Sequence, residues 1–275
     1  MIFGRNRKRS NEPESDGAEA TESDATPAPT ADEQLPGDST EDAADVALDA
    51  QPGLDVETLD ATEWRTDGPF DVVELHDQDD DDDDPADDQV PKIDLGSLIL
   101  TGLPGSELRL QVSEETQQIV SAMLVLQTPE RGVVNGAGDL VTSSALELSA
   151  YAAPRSGGLW AELRDEISES ATAVGGSASL AEGPFGVELR RLIPVTTPEG
   201  EQGYQPSRMW VAEGPRWLLR GIVYGQAAVE EDLDAPSVTS VLAAFRSVVV
   251  RRGDEAMAPG DLLPLTMPDD LAPVE

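Results

Sequence analysis

Two scarce residue types limit the chemistry that this chain can perform. None of its 275 residues is a cysteine, and His76 is its single histidine. A chain without cysteine has no thiol nucleophile, disulfide or thiolate metal ligand, and one histidine cannot form a multi-histidine metal site. A serine hydrolase of the usual kind would need His76 as its base, and His76 lies in a strongly acidic region. We therefore expect no metal, no cofactor and no catalysis based on histidine or cysteine.

Residues 155–158 form the first candidate site, an Arg-Ser-Gly-Gly turn between a predicted strand and a predicted helix. Amides and the dipole at a helix start favour an anion, and the charge of Arg155 would add to that preference. Ser156, Gly157 and Gly158 complete this candidate anion-binding site. The alternative is a capped helix start whose glycines allow close packing, because the turn lacks both the phosphate-loop lysine and the GxGxxG spacing.

Arginines in strand-like runs form the second candidate. Arg109 alternates with the leucines of its strand, and Arg190, Arg208 and Arg220 would join it if their strands present one common face. Arginines interleaved with aromatic side chains on a sheet bind phosphates and stack on bases. The alternative is surface ion pairing with glutamates on the strands, among them Glu107, Glu147 and Glu188. The candidate interaction surface comprises Trp210, Arg216, Trp217 and Arg220.

Acidic side chains allow two further functional interpretations. Glu162 and Glu166, like Asp165 and Glu169, are four residues apart and would share one helix face, where a carboxylate or magnesium site could use them. Solvated helix charges explain them more simply. The aspartate run at residues 79–84 lacks the alternation and turn glycine of a calcium loop, so we interpret it as a self-repelling, extended block.

Hydrophobic periodicity predicts strands and two helices after residue 91. Strand-like runs occupy residues 107–112, 119–126, 145–152, 187–195, 205–212 and 216–224. Helical spacing predicts one helix between residue 159 and Gly175 and a second that begins at residue 236 or 237. Leu108, Leu110 and Val112 are predicted to face inward, and residues 128–144 are predicted to form a long loop. Strands that follow one another closely predict an α+β fold: an antiparallel sheet with two amphipathic helices packed on it, like an α/β/α sandwich.

Composition divides the chain into three parts. Residues 1–90 hold 29 of the 55 acidic residues but 5 of the 18 basic ones, which favours a disordered acidic arm with a short basic start. Residues 91–258 are predicted to form a single domain, and residues 259–275 an extended, surface-lying C-terminal segment. Within the arm, residues 62–76 carry two aromatics and several aliphatic residues, so the alternatives there are docking on the domain and plain disorder.

Several short motifs carry a family resemblance. These motifs lie at residues 90–98, 152–160, 182–186, 214–221, 249–255 and 261–265. On these motifs the chain resembles an actinobacterial family of small acidic proteins catalogued as a domain of unknown function, whose usual connection at residues 128–144 is shorter. The order of elements also resembles the Mog1/PsbP sandwich, which implies a binding protein rather than an enzyme.

We predict a non-catalytic binding or adaptor protein with a protein partner. We expect it in the cytoplasm, because no signal peptide or run of about 18 apolar residues is present. One alternative is a nucleic-acid or nucleotide-associated factor that is autoinhibited by its acidic arm. The net acidity of the domain argues against general nucleic-acid affinity. The other alternative is a carboxylate- or magnesium-dependent enzyme that acts on phosphate compounds.

Overall fold

A computed structural model describes residues 49–76, 91–135, 138–197 and 200–268, all within a compact unit from Val46 to Glu275. The strands are β1 (Asp49–Ala50), β2 (Phe70–Asp71), β3 (Lys92–Asp94), β4 (Leu98–Thr101), β5 (Glu107–Val112), β6 (Ile119–Asn135), β7 (Gly138–Ala152), β8 (Ser177–Gly183), β9 (Gly186–Thr196), β10 (Gln202–Gly214), β11 (Trp217–Gly225) and β12 (Val249–Val250). The helices are α1 (Val56–Ala61), α2 (Val72–His76), α3 (Leu159–Ala173), α4 (Gln226–Val229) and α5 (Pro236–Arg246).

Most of these strands form one large sheet. Its order is β1-β8-β9-β10-β11-β7-β6-β5, and every pairing is antiparallel except that of β1 with β8. A smaller sheet has the order β2-β12-β4-β3. The predicted α+β class is confirmed, as are the predicted positions of β5, α3 and α5.

The large sheet buries apolar side chains on both faces. Trp210 lies opposite Gly221 in the β10–β11 pair and belongs to a core that includes Phe245 of α5. Its neighbour Met209 points to the other face and belongs to a second core that includes Trp160 of α3. The two long helices therefore pack on opposite faces of the sheet.

The domain begins earlier than the predicted boundary at residue 91. Asp49 pairs with Ser179 in β8, and Phe70 pairs with Val249 in β12, so residues 49–76 belong to the folded unit. Of the two alternatives for residues 62–76, docking on the domain is the one observed. Composition misled the prediction because these residues are ordered by partners that are distant in sequence. The rest of the predicted arm, including the aspartate run, lies outside the described residues.

Three further predictions need correction. Residues 128–144 are mostly strand rather than loop, because β6 and β7 continue their pairing through Thr128 and Thr142. Val112 is 49% exposed, since β5 is the edge strand of the sheet. The described part of the predicted C-terminal segment, residues 259–268, does not simply cover the surface: Leu263 is 1% exposed and joins the α5 core.

Candidate functional site

The most distinctive cavity lies beside α3, where the helix leaves part of the sheet open. Leu163 and Ile167 face the sheet at helical spacing, yet both are only half-buried. The space next to them has a volume of about 480 Å³, which is in the range of small-molecule sites. Its apolar lining consists of Trp160, Leu163, Ile167, Ala171, Val174, Ile193, Val211 and Leu218. We call this cavity the α3 pocket.

Two arginines supply the cationic groups of the α3 pocket. Arg191 extends from β9 and Arg220 from β11, on the same face of the sheet as the α3 core. Arg220 donates from Nη2 to Ser149 Oγ at 3.0 Å, and its guanidinium carbon lies 5.0 Å from the centre of the Tyr151 ring. The Nε atoms of both arginines are buried without a hydrogen-bond partner among the described residues.

Arg191 is the less satisfied of the two. Its side chain forms no hydrogen bond or ion pair with the described residues. Burial lowers the pKa of Arg191, and the charge of Arg220 lowers it further, against the opposing influence of Tyr224 and Glu147. Because an arginine stays protonated at any physiological pH, a half-buried guanidinium without a counter-ion favours the entry of an anion.

A tyrosine and a glutamate border this pair of arginines. The Tyr224 hydroxyl donates to Glu147 Oε2 at 3.0 Å. Burial and the neighbouring Glu147 raise the pKa of Tyr224 to about 12. Tyr224 is therefore neutral at physiological pH, and Glu147 provides the nearby negative charge.

The predicted anion site at residues 155–158 is bound by a carboxylate of the chain itself. The amides of Gly158 and Trp160 donate to Glu213 Oε2 and Oε1 at 2.8 and 2.7 Å. Gly158 precedes α3 with a left-handed φ of 85°, while Arg155 is exposed. Ser156 Oγ contacts only the carbonyl oxygen of Gly157, at 3.4 Å. An external anion would have to displace Glu213 from these amides.

The predicted interaction surface is wrong for its two tryptophans. Trp210 is 1% exposed and Trp217 is fully buried. Their indole N–H groups donate to Glu188 Oε2 at 2.8 Å and to Asp71 Oδ2 at 2.7 Å. Both belong to the α5 core. The prediction failed because the sheet is covered on both faces, which strand alternation alone does not show.

The two arginines of the predicted interaction surface lie in different places. Arg216 is half-buried in the turn before β11, where its φ of 64° is left-handed. Arg220 lines the α3 pocket on the other face of the sheet. Of the predicted surface, only Arg220 therefore contributes to the candidate site.

The strand arginines do not share one face. Register places Arg190 and Arg208 on the α5 side, and Arg109 and Arg220 on the α3 side. Side-chain ion pairs confirm part of the alternative: Arg109 pairs with exposed Glu107, while Arg190 and Arg208 both pair with buried Glu188. Arg208 and Glu188 are each only 1% exposed. These arginines therefore lie on two faces of the sheet, and the three that form these ion pairs do not make a common binding surface.

Comparison with known protein families identifies one family that matches the chain. A family model described as protein of unknown function (DUF3710) matches residues 68–273, which is well over half of the sequence. The chain belongs to the DUF3710 family. No curated protein and no solved structure matches it. The DUF3710 match spans every residue that lines the α3 pocket.

Sequence reasoning missed Arg191, the central residue of the pocket in this DUF3710 member. The signal was present: Val187, Leu189 and Ile193 alternate along β9, and Arg191 interrupts that series on the same face. An arginine at an inward position of an apolar strand indicates either a buried ion pair or a ligand site. The adjacent Arg190 obscured this signal, because either arginine could have been the outward one.

Two further features bear on the predictions for this DUF3710 chain. Glu162, Asp165, Glu166 and Glu169 are exposed, and no group of three possible metal ligands occurs in residues 49–76, 91–135, 138–197 and 200–268. Over those same residues, every helix is too short or too polar to cross a membrane.

Proposed function

We propose that the protein is a non-catalytic binding protein whose ligand site is the α3 pocket, and that this ligand is anionic. One observation carries the proposal: Arg191 points a charged guanidinium into a mostly apolar cavity without an ion-pair partner among the described residues. Placing an unpaired charge in a mostly apolar environment is unfavourable, so a bound anion would stabilise the Arg191 guanidinium.

A binding role agrees better with the residues present than a catalytic one does. The polar groups that line the pocket are Arg191, Arg220, Tyr151, Ser170 and Glu166. General acid–base catalysis at neutral pH favours a group with a pKa near 7, which an arginine does not provide, and the pKa of the neighbouring Tyr224 is raised to about 12. We further propose that the protein acts as a binding or adaptor protein in the cytoplasm. An α/β/α sandwich-like layering with α3 and α5 outermost is supported by the separate cores that these two helices form on the sheet.

The nucleic-acid alternative has less support from the side chains. Base stacking needs accessible aromatic rings next to the cationic groups. Trp210 and Trp217 lie in the core, and Arg109, which is exposed, forms an ion pair with Glu107. A pocket for a small anion accounts for the position of Arg191, which a general nucleic-acid surface does not.

The test is a titration of the full-length protein with 8-anilinonaphthalene-1-sulfonate, a fluorescent arylsulfonate that combines an anionic head with an apolar body. We expect binding of one equivalent, weakened about tenfold or more in Arg191→Gln, because a hydrogen-bonded charge contributes about 1.5–3 kcal/mol. The Arg220→Gln variant should weaken binding similarly. Arg109→Gln is the matched control, since it removes an arginine from the same sheet face outside the pocket.

Thermal unfolding separates a binding defect from misfolding. Arg191→Gln should unfold at the same temperature as the natural sequence or higher, because it removes a poorly compensated buried charge. Equal affinity for the probe in the Arg191→Gln and Arg109→Gln variants, with both folded, would refute the proposed site.

A further inference from the structure

The charges that line the α3 pocket restrict the anion it can take. Arg191 and Arg220 are positive and Glu166 on α3 is negative, so the lining has an excess of one positive charge. Glu147 lies close enough to influence both Arg191 and Tyr224. The lining residues by themselves are therefore balanced by a ligand with one negative charge, and the additional negative charge of Glu147, which lies outside the lining, disfavours a dianion.

The backbone of the pocket also lacks the groups that phosphate sites use. Such sites rely on amides at a helix start or in a glycine-rich loop. The helix start next to this pocket belongs to α3, and its amides at Gly158 and Trp160 already donate to Glu213. The cationic donors in the lining are guanidinium groups, whose planar N–H pairs match a carboxylate in a bidentate arrangement.

Apolar side chains make up most of the remaining lining. Leu163 and Ile167 form a half-buried stripe on α3, and Val211 and Leu218 form the opposing floor on the sheet. The Trp160 indole is fixed by donation from Nε1 to the carbonyl oxygen of Val187 at 2.9 Å. This lining gives a ligand extensive apolar contact, and Tyr151, Ser170 and Glu166 are the polar lining residues besides the two arginines.

Resting on the proposed function, we infer that the ligand of the α3 pocket is a small monocarboxylate with an apolar body. Its carboxylate binds between Arg191 and Arg220. The aliphatic or aromatic body lies along Leu163 and Ile167 of α3.

The experiment is displacement of the same fluorescent probe from the full-length protein at pH 7.5. The competitors are acetate, butanoate, hexanoate and octanoate. Octanol and octanamide control for the charge, and inorganic phosphate and octyl phosphate control for the class of anion. We expect affinity to rise about fourfold for each methylene that becomes buried. Octanoate should also bind at least tenfold more tightly than octanol or octanamide.

Two variants separate the head of the ligand from its body. Arg191→Gln should abolish the preference for octanoate over octanamide and leave the dependence on chain length unchanged. Leu163→Ala, which keeps the helix propensity of α3 high, should weaken the dependence on chain length and leave the preference for the acid unchanged. A residue with a merely structural role would change both properties together.

The outcomes distinguish this inference from the function on which it rests. Tighter binding of octyl phosphate than of octanoate would overturn the carboxylate assignment but keep an anion site. Displacement by a short apolar peptide with a free C-terminus, and not by the free acids, would overturn the small-molecule assignment. If neither the probe nor any anion binds, both the inference and the proposed function fail.

Discussion

Replacing Glu188 with glutamine would remove the negative charge at the centre of a buried network while keeping the shape of the side chain. Glu188 accepts from Arg208 Nη2 at 2.9 Å, from Trp210 Nε1 at 2.8 Å and from Arg190 Nε at 2.8 Å. Arg208 would then lose its carboxylate partner and be left with neutral acceptors, among them the backbone oxygen of Glu230 at 3.1 Å. Removing one partner of a buried ion pair costs about 3–5 kcal/mol, so we expect a loss of about 3 kcal/mol or more in unfolding free energy.

The reciprocal change should be milder. In Arg208→Met the Glu188 carboxylate would keep the indole N–H of Trp210 and the guanidinium of Arg190, which is 37% exposed. In Arg208→Met the negative charge of Glu188 would therefore still be compensated, whereas in Glu188→Gln the positive charge of Arg208 would not be. We expect the Arg208→Met loss to be smaller than the Glu188→Gln loss by about 1.5 kcal/mol or more, the contribution of one hydrogen bond to a charged group.

Urea unfolding of the full-length protein, followed by tryptophan fluorescence, measures both losses. Glu107→Gln serves as the control, because it breaks the ion pair with Arg109, in which both side chains are more than half exposed. It should leave the midpoint where it is. An Arg208→Met variant that is destabilised as much as Glu188→Gln would refute the asymmetry and the reasoning from compensated charge.

The structure makes three further predictions. Glu213→Gln should destabilise the protein by about 1–2 kcal/mol in urea, because a neutral side chain would replace the carboxylate that caps α3; an unchanged midpoint would contradict this role. Gly221→Ala should cost about 1–3 kcal/mol, since its new methyl would lie 2.6 Å from the Phe245 ring, whereas Gly203→Ala, with open space around it, should be harmless. The difference in tyrosinate absorbance between the natural sequence and Tyr224→Phe should show a transition near pH 12. Because the folded pKa is raised, the stability linked to Tyr224 is fully present below pH 10 and is lost as pH rises toward 12, a loss that Tyr224→Phe should lack.

Local hydrophobic periodicity was sufficient to predict those elements whose pattern of apolar residues is set mainly by their own sequence. The alternation of residues 107–112 predicted β5, and the spacing of Leu163 and Ile167 predicted α3 with its inward face. Both elements are amphipathic, so the period of their apolar residues identifies them without knowledge of their partners.

The remaining errors come from contacts between residues that are distant in sequence. Phe70 pairs with Val249 across most of the chain, and no local pattern encodes that strand pairing. Alternation places Trp217 and Leu218 on opposite faces of β11, but cannot show that both faces are covered. The site was missed for the same reason: Arg191 becomes a pocket residue only because α3 stops short of covering it.

The segment before residue 68 has a consequence for how this domain can be divided. Leu59 packs in the α3 core. Trp64 lies so close to Gly186 that a Cβ atom added to Gly186 would lie 2.8 Å from Trp64 Nε1. A fragment that began at residue 68, where the family match starts, would leave this apolar surface bare and the edge of β8 unpaired by Asp49 and Ala50. Exposed strand edges next to apolar patches recruit other chains. Such a fragment would therefore tend to aggregate, because the shared family sequence is shorter than the unit that folds.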